Sequence, residues 1–325
     1  MTASDDRVWR GAFLDLDTVS RNDIDLAPLR DTLDELVTHD ATAPGQIDER
    51  LADHEVILLN KVRLSRAHLE KAQSLRLVCL AATGFDNVDI EAARELGIAV
   101  CNIRGYCTAS VAQHVFALIL ELTVHLAEYR QRLREGAWRQ SGQFTMLDFP
   151  IRELAGKRLG IVGYGELGRA VAGIGRAFGM QVLIAERPGH PPRDGRLPFA
   201  EVAANADVLS LHCPLTDETR RLVDAEVLAR MKPDALLINT SRGAVVDETA
   251  LADAVARGRI GGAGVDVLSE EPPVHGNPLL EVDSPRLVLT PHIAWAAREA
   301  RQRAIADMAD NIRALRAGER LNRVV

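Results

Sequence analysis

Three residues suited to acid–base chemistry each follow a short apolar run that is typical of a β-strand. Arg242 follows ALLINTS, Glu271 follows GAGVDVLSE, and His292 follows LVLTP. In an open parallel sheet, ligands bind outside the carboxyl ends of the strands. We therefore expect a cation, an acid and an imidazole at one sheet edge, where they can bind an anionic substrate and move one proton.

These residue types fit hydride transfer to a 2-oxo acid. A guanidinium binds a carboxylate through two contacts and stays charged, which suits Arg242 as the substrate anchor. Histidine titrates near neutral pH, which suits His292 as the proton donor. A carboxylate beside it favours the imidazolium and fixes its tautomer, a task that falls to Glu271 or to its neighbour Glu270. Taken singly, each of these residues is also compatible with an ordinary surface role.

A glycine-rich turn, GYGELG at residues 163–168, lies upstream of all three. It follows an apolar strand and opens a helical pattern, as in a dinucleotide-binding βαβ unit. Gly163 permits the tight turn, Gly165 lets the backbone approach a pyrophosphate, and Gly168 lets the helix pack closely. Glu186 ends the second strand and favours NAD(H) by binding ribose hydroxyls. Arg187, with Arg193 nearby, leaves NADP(H) open.

Composition limits the class of protein. The 325 residues favour two domains, and a hydrophobic content of 47% allows full cores. A formal net charge of −7 argues against general nucleic-acid binding. No apolar run approaches the roughly 18 residues of a membrane span, and no signal peptide is visible, so we expect a cytoplasmic protein. The four cysteines form no CxxC pair, and no metal site is expected.

Two strand–helix series predict two α/β domains, each a doubly wound parallel sheet. The predicted strands of the first series are residues 11–16, 33–37, 56–59, 75–80 and 98–101, and those of the second are 158–162, 180–185, 207–211, 235–239, 262–267 and 287–290. One long helix is predicted over residues 109–134, and another over 298–316. A single helix cannot form a domain, so the last one is expected to return to the first domain.

The predicted domains are therefore discontinuous, with a ligand cleft expected between them. Residues 1–101 plus 294–325 form a flavodoxin-like substrate domain, and residues 102–293 form an inserted Rossmann cofactor domain. The apolar segment 137–154 shows no clear periodicity and predicts an interface with a second subunit.

The chain resembles the D-isomer-specific 2-hydroxyacid dehydrogenases over essentially its full length. The matching stretches are ATGFDNVD (82–89), VAQH (111–114), GIVGYGELG (160–168), HCPLTDETR (212–220), LINTSRGAVVDE (237–248), GAGVDVLSEEPP (262–273) and TPHIAW (290–295). The resemblance implies that Arg242, Glu271 and His292 are catalytic and that the Thr83-Gly84 turn binds the substrate carboxylate. It also implies a homodimer built through the cofactor domains.

Further residues are assigned to the cofactor by the resemblance, with Asp266 meeting the nicotinamide carboxamide. The predicted cofactor-binding residues are Val111, Gly163, Tyr164, Gly165, Glu166, Leu167, Gly168, Glu186, Arg187, His212, Cys213, Pro214, Thr219, Thr240, Ser241, Asp266 and His292.

Within the family, the stretches NKV (60–62), 144–154 and 291–303 are most similar to glycerate dehydrogenases, also called hydroxypyruvate reductases. Ala294-Trp295 replaces the small pair of many relatives, so Trp295 is expected to narrow the pocket for hydroxypyruvate or glyoxylate. Trp138 either approaches the partner's active site or lies in a plain interface. A phosphoglycerate or bulkier 2-oxo-acid dehydrogenase stays open, because the orientation of Asn60, Lys61 and Arg104 is not settled. A dinucleotide-sensing protein of the corepressor type also stays open.

Overall fold

The structure is a computed structural model and describes residues 8–325. It divides into two compact units: one runs to Cys107 and resumes at Ala296–Val325, and the other is Thr108–Trp295. Eleven strands lie in the described residues: β1 Arg10–Phe13, β2 Glu35–Thr38, β3 Val56–Leu59, β4 Leu77–Leu80, β5 Ala99–Cys101, β6 Arg158–Val162, β7 Gln181–Ala185, β8 Val208–Leu211, β9 Leu236–Asn239, β10 Gly262–Val265 and β11 Leu287–Leu289.

The same residues contain twelve α-helices and four short 3-10 turns. The α-helices are α1 Ala27–Arg30, α2 Ile47–Leu51, α3 Arg66–Lys71, α4 Ile90–Glu95, α5 Thr108–Val124, α6 Leu126–Arg134, α7 Ala137–Ser141, α8 Glu166–Ala177, α9 Phe199–Asn205, α10 Ala225–Arg230, α11 Glu248–Ala256 and α12 Arg298–Arg316. The 3-10 turns are Leu16–Thr18, Pro44–Gln46, Gly243–Val245 and Pro278–Glu281.

The first unit is a five-stranded parallel sheet in the order β2-β1-β3-β4-β5. Strands β3 and β4 are buried throughout, as expected of central parallel strands covered on both faces. Helix α12 packs in this unit, where Asn311 donates to the Asn102 carbonyl at 2.9 Å. Its buried face consists of small and aliphatic residues such as Ala304, Met308 and Ile312.

The second unit is a six-stranded parallel sheet in the order β11-β10-β9-β8-β6-β7. The chain leaves β6 for β7 on one side and then returns to β8 on the other side. This reversal makes the carboxyl end of β6 a topological switch point, where open α/β sheets bind their ligands. The doubly wound α/β class predicted from the sequence is confirmed for both units.

The single long helix predicted over residues 109–134 was wrong at one position. His125 adopts a left-handed conformation (φ 58°), and the bend between α5 and α6 is 54°. The Glu121 carboxylate accepts the N–H of Ala127 at 3.0 Å, and the Phe149 ring stacks on His125. The break is thus held by a contact from a distant loop, which the apolar repeat does not show.

No single helix in residues 8–325 is long and apolar enough to cross a bilayer. Only Thr108–Val124 and Leu126–Arg134 taken together, as a bent pair, reach the length and apolar composition of a membrane span.

Candidate active site and dinucleotide site

The glycine turn after β6 depends on close backbone approaches. Gly163 has φ of 91°, and a Cβ there would lie 2.6 Å from the carbonyl carbon of His212. A Cβ on Gly168 would lie 2.1 Å from the Gly163 carbonyl oxygen, so the first turn of α8 sits directly on the loop. Gly165 faces open space, with no atom within 4 Å of its would-be Cβ. The turn therefore leaves room for a ligand at the N-terminus of α8.

Two buried polar atoms on the adjoining strand ends support a dinucleotide as that ligand. His212 Nδ1 after β8 and Thr240 Oγ1 after β9 have no hydrogen-bond partner among the described residues. His212 Nε2 lies 2.9 Å from Ser210 Oγ, and burial lowers the pKa of this imidazole to about 4. Buried polar atoms normally have partners. These two, with the free helix N-terminus, fit the polar groups of a bound cofactor.

A histidine–glutamate pair lies after β10 and β11. His292 Nδ1 is 2.7 Å from Glu271 Oε2, and Glu271 Oε1 accepts the N–H of Leu268 at 2.9 Å. Glu270 turns elsewhere and pairs with His275 at 2.7 Å. Of the two acids that the sequence left open, Glu271 is thus the one that holds His292. With Nδ1 engaged, the other ring nitrogen, Nε2, is left for a substrate.

The turn that carries His292 is anchored by Asp266, at the end of β10. His292 has φ of 55°, and its N–H donates to the Asp266 carbonyl at 2.8 Å. The buried Asp266 carboxylate accepts the Thr290 hydroxyl at 2.6 Å and the N–H groups of Ile293 and Ala294, each at 2.9 Å. The carboxylate therefore fixes the backbone on both sides of His292. Sequence reasoning gave Asp266 only a cofactor contact.

His114 extends this network from α5. Its Nε2 lies 3.0 Å from the Thr290 hydroxyl and 3.5 Å from Asp266 Oδ1. Ser110, one turn earlier, donates to the Ala294 carbonyl at 2.7 Å. Neither residue was predicted as part of the site. The feature of the sequence that could have indicated their role is that both are polar residues on the otherwise apolar face of a core helix.

Arg242 lies at the start of a 3-10 turn after β9. Its side chain is exposed, and one Nη1–H donates to the Ser241 carbonyl at 2.7 Å. Buried Asn239 sets the turn by donating to the Arg242 carbonyl at 3.0 Å and accepting from Ser241. Strands β9, β10 and β11 are adjacent, so Arg242, Glu271 and His292 all follow neighbouring strand ends in one unit.

The segment leading to Glu271 packs directly against the Arg242 turn. A Cβ on Gly243 would lie 2.0 Å from the Leu268 carbonyl carbon and 2.2 Å from the Ser269 nitrogen. Glu248, at the start of α11, accepts the N–H of Ser269 at 2.8 Å and also its hydroxyl. Gly243 and Glu248 thus fix the spacing between the loops that carry Arg242 and Glu271.

The chain is similar to known proteins in both sequence and structure. Residues 116–294 match the family described as D-isomer specific 2-hydroxyacid dehydrogenase, NAD binding domain. The chain is 43% identical over 279 residues to a glycerate dehydrogenase of Methylorubrum extorquens, covering 86% of this chain and 88% of that protein. It is 36% identical over 299 residues to a hydroxypyruvate reductase of Blautia hydrogenotrophica, covering 90% and 92%. It resembles the crystal structure of the TT0316 protein from Thermus thermophilus with a TM-score of 0.84 and 34% identity, covering 97% of this chain and 100% of that one.

The chain belongs to the D-isomer-specific 2-hydroxyacid dehydrogenase family. Membership confirms the resemblance stated from the sequence and the predicted class of enzyme, an oxidoreductase acting on a CH–OH group. It also confirms a nicotinamide dinucleotide as the kind of cofactor, because the matched segment is the family's NAD-binding domain.

Two predicted substrate-binding elements of the dehydrogenase each follow a strand: Trp295 follows β11, and the Thr83-Gly84 turn follows β4. Trp295 is half-buried, and its Nε1–H donates to the His292 carbonyl at 3.0 Å. Thr83 follows β4 in the first unit, where its hydroxyl donates to the Ile103 carbonyl at 2.9 Å. The backbone N–H groups of Thr83 and Gly84 donate to no acceptor among the described residues. They are therefore suited to bind an anion.

Several predicted cofactor residues of the dehydrogenase are engaged in holding loops. The Thr219 hydroxyl donates to the Pro214 carbonyl at 2.6 Å, and the buried Ser241 hydroxyl donates to Asn239 at 2.9 Å. Burial raises the pKa of the Cys213 thiol to about 11, and Val111 is buried in α5. The Thr219 and Ser241 hydroxyls thus hold the loops after β8 and β9. Any contact they make with a cofactor stays a prediction.

Residues of the glycine loop itself are more exposed. Glu166 is exposed at the first position of α8 and accepts a hydrogen bond from the Thr108 hydroxyl. The Tyr164 carbonyl accepts from Arg169 at 3.3 Å, and Leu167 is partly buried. Among the described residues, no group of three or more His, Cys, Asp or Glu side chains is arranged to hold a metal ion.

Proposed function

We propose that the protein is an NAD(P)-dependent D-2-hydroxyacid dehydrogenase that reduces a small 2-oxo acid, hydroxypyruvate or glyoxylate, to the D-2-hydroxy acid. The observation that carries the proposal is the Glu271–His292 pair, anchored by Asp266 in the same unit as the dinucleotide loop. The substrate assignment is supported by relatives named glycerate dehydrogenase and hydroxypyruvate reductase.

In the proposed reaction each polar residue has one task. A nicotinamide cofactor, when bound at the glycine loop, would supply the hydride to the substrate carbonyl carbon. His292 gives a proton from Nε2 to the carbonyl oxygen, while Glu271 at 2.7 Å holds Nδ1 and stabilises the charged ring. Arg242 binds the substrate carboxylate through its exposed guanidinium. The N–H groups of Thr83 and Gly84 are proposed as further carboxylate donors.

The preference for a small substrate is supported by Trp295. Its indole is held by the hydrogen bond to the His292 carbonyl, which keeps a large ring beside the proposed proton donor. We propose that a fixed ring at that position reduces the volume left for the substrate side chain. Hydroxypyruvate and glyoxylate carry a side chain of one carbon or none, whereas branched 2-oxo acids need more space.

We also propose a homodimer formed through the cofactor unit. The segment after α6 exposes several large apolar side chains: Phe144 is 95% exposed, Leu147 80%, Ile151 56% and Trp138 49%. So many exposed apolar groups on one segment are typical of an interface. The Trp138 indole is bonded within its own segment, to the Gln143 carbonyl at 3.1 Å, which supports a plain interface role.

A cytoplasmic location is proposed from the thiols. Cys79, Cys101, Cys107 and Cys213 are all free, and three of them are buried. Free buried thiols are typical of proteins kept in a reducing compartment.

The experiment that tests the proposed function measures oxidation of NADH and then of NADPH with hydroxypyruvate, glyoxylate, pyruvate and a branched 2-oxo acid. We expect fast oxidation with the first two acids and slow oxidation with the branched one. Tight NADH binding without turnover on any acid would contradict the proposal and favour a dinucleotide-sensing protein. Faster turnover of the branched acid would contradict the small-substrate assignment.

A further inference from the structure

The segment between Glu186 and Leu197 is a closed loop at the far side of the sheet from the catalytic strands. Leu197 donates to the Ile184 carbonyl at 2.9 Å, and its own carbonyl accepts the Glu186 N–H at 2.8 Å. Leu197 therefore pairs with Ala185 like the start of an extra strand beside β7. The ten residues between the two ends leave the sheet and return to it at one point. They cover the position where the adenosine ribose binds in sheets of this type.

The Glu186 carboxylate is occupied by arginines of this loop. Arg193 donates from Nε and from Nη2, each at 2.6 Å, so that the two contacts form a fork. The Arg187 N–H donates at 2.9 Å and Arg196 Nη1 at 3.4 Å. The Glu186 side chain is only 2% exposed. These bonds hold the pKa of the Glu186 carboxyl well below its usual range.

This geometry differs from that of an acid that selects NAD(H). Such an acid must offer free carboxylate oxygens to two ribose hydroxyls. Here both oxygens already accept hydrogen bonds from charged or backbone donors. The negative charge that would repel a 2′-phosphate is compensated by arginine.

The arginines keep donors for a further anion. Arg193 uses one edge of its guanidinium for Glu186, and no hydrogen bond among the described residues uses its Nη1. Its side chain is 61% exposed, and Arg187 is also exposed. The three arginines of the loop outnumber Glu186 and Asp194, leaving one net positive charge. A guanidinium end presented in this way suits a phosphate.

We propose that the 186–197 loop is a binding site for the ribose 2′-phosphate of NADP(H), in which Arg193 and Arg196 bind the phosphate and Glu186 positions Arg193. This inference rests on the proposed function, because it specifies the cofactor of the same enzyme. The role of Glu186 is then the opposite of the one predicted from the sequence: its carboxylate orients the Arg193 guanidinium and does not exclude the 2′-phosphate. Arg187 completes the positive rim of the site.

The test uses two nucleotides that lack nicotinamide, so it does not depend on turnover. Isothermal titration calorimetry measures the affinity of adenosine 2′,5′-bisphosphate and of 5′-AMP. The wild type should bind the bisphosphate at least about tenfold more tightly, the effect of one charge-assisted hydrogen bond. Arg193→Ala and Arg196→Ala should each lose most of that preference and keep the affinity for 5′-AMP.

Two further variants control the interpretation. Arg193→Lys retains the charge but not the fork and should give an intermediate loss, which guards against a folding defect in Arg193→Ala. Arg230→Ala removes an exposed arginine paired with Glu226 in the same unit and should change neither affinity.

Equal affinity of the wild type for both nucleotides would overturn the inference while leaving the dinucleotide site intact. An unchanged preference in both alanine variants would also overturn it. Failure to bind either nucleotide would contradict the dinucleotide site itself, and with it the proposed function.

Discussion

The spacing between the Arg242 turn and the Glu271 segment is the most sharply testable feature of the site. Gly243→Ala would place a Cβ 2.0 Å from the Leu268 carbonyl carbon and 2.2 Å from the Ser269 nitrogen. Carbon atoms in contact are normally about 3.5–4.0 Å apart, so the two backbone segments must separate by more than about 1 Å. Both neighbours are backbone atoms, and a change of side-chain rotamer cannot relieve the contact.

The expected consequence is a loss of catalytic geometry with cofactor binding retained. A displacement of about 1 Å in a reacting group costs on the order of 100-fold in rate, which is about 2.7 kcal/mol in activation free energy. The kcat of Gly243→Ala with hydroxypyruvate should therefore fall by roughly that factor. The glycine turn after β6 is separate from this contact, so NADH affinity measured by fluorescence should stay close to the wild-type value.

Two variants make the comparison decisive. Gly173→Ala in α8 has no atom within 4 Å of the added Cβ, so its kcat should be unchanged and its melting temperature equal or higher. Glu248→Gln weakens the hold on Ser269 without a clash and should lower kcat by about tenfold. An unchanged kcat in folded Gly243→Ala would refute the claim that this contact sets the position of the two catalytic loops.

Further predictions concern residues of the same unit. Asp266→Asn replaces one acceptor oxygen by a donor, so at least one of the contacts with Thr290, Ile293 and Ala294 is lost. The kcat should fall by tenfold or more, and thermal denaturation should show a loss of about 1–3 kcal/mol in the free energy of unfolding. An unchanged melting curve would contradict that anchoring role. Glu271→Gln should lower kcat with hydroxypyruvate by about 100-fold or more, since His292 loses the carboxylate that holds its Nδ1. Burial lowers the pKa of folded His212 to about 4, below its ordinary value of 6.5. As pH falls from 6.5 to about 4, the unfolded state binds the proton first, so up to about 3 kcal/mol of the free energy of unfolding is lost. His212→Asn should flatten the fall of the free energy of unfolding between these pH values, and a parallel fall in both proteins would contradict the assignment.

Much of the fold follows from local patterns in the sequence. Strands β3 and β6 and helix α12 coincide with their predicted residues, and the other strands differ at their ends by a few residues. Apolar runs bounded by turn residues specify buried parallel strands well, because both faces of each strand are covered. The break at His125 was missed because it depends on Glu121 and on the Phe149 ring, which is distant in the sequence.

The site was predictable in its residue types and less so in its pairings. Placing Arg242, Glu271 and His292 at neighbouring strand ends required only the strand order. The choice between Glu270 and Glu271 depended on the path of a loop, which one sequence does not reveal. Glu186 shows the same limit, because its arginine partners lie seven and ten positions away in a loop without periodic pattern. The anchoring role of Asp266 was not predictable, because its carboxylate accepts backbone N–H groups of the turn after β11, and residue types do not specify such contacts.

In the proposed reaction His292, held by Glu271, delivers the proton to a 2-oxo acid. The most direct measurement compares wild type and His292→Ala for NADH affinity and for the rate of NADH oxidation with hydroxypyruvate. We expect the variant to bind NADH with nearly unchanged affinity and to lose turnover by at least about 100-fold. Equal turnover in the two proteins would contradict the role of His292 as the proton donor.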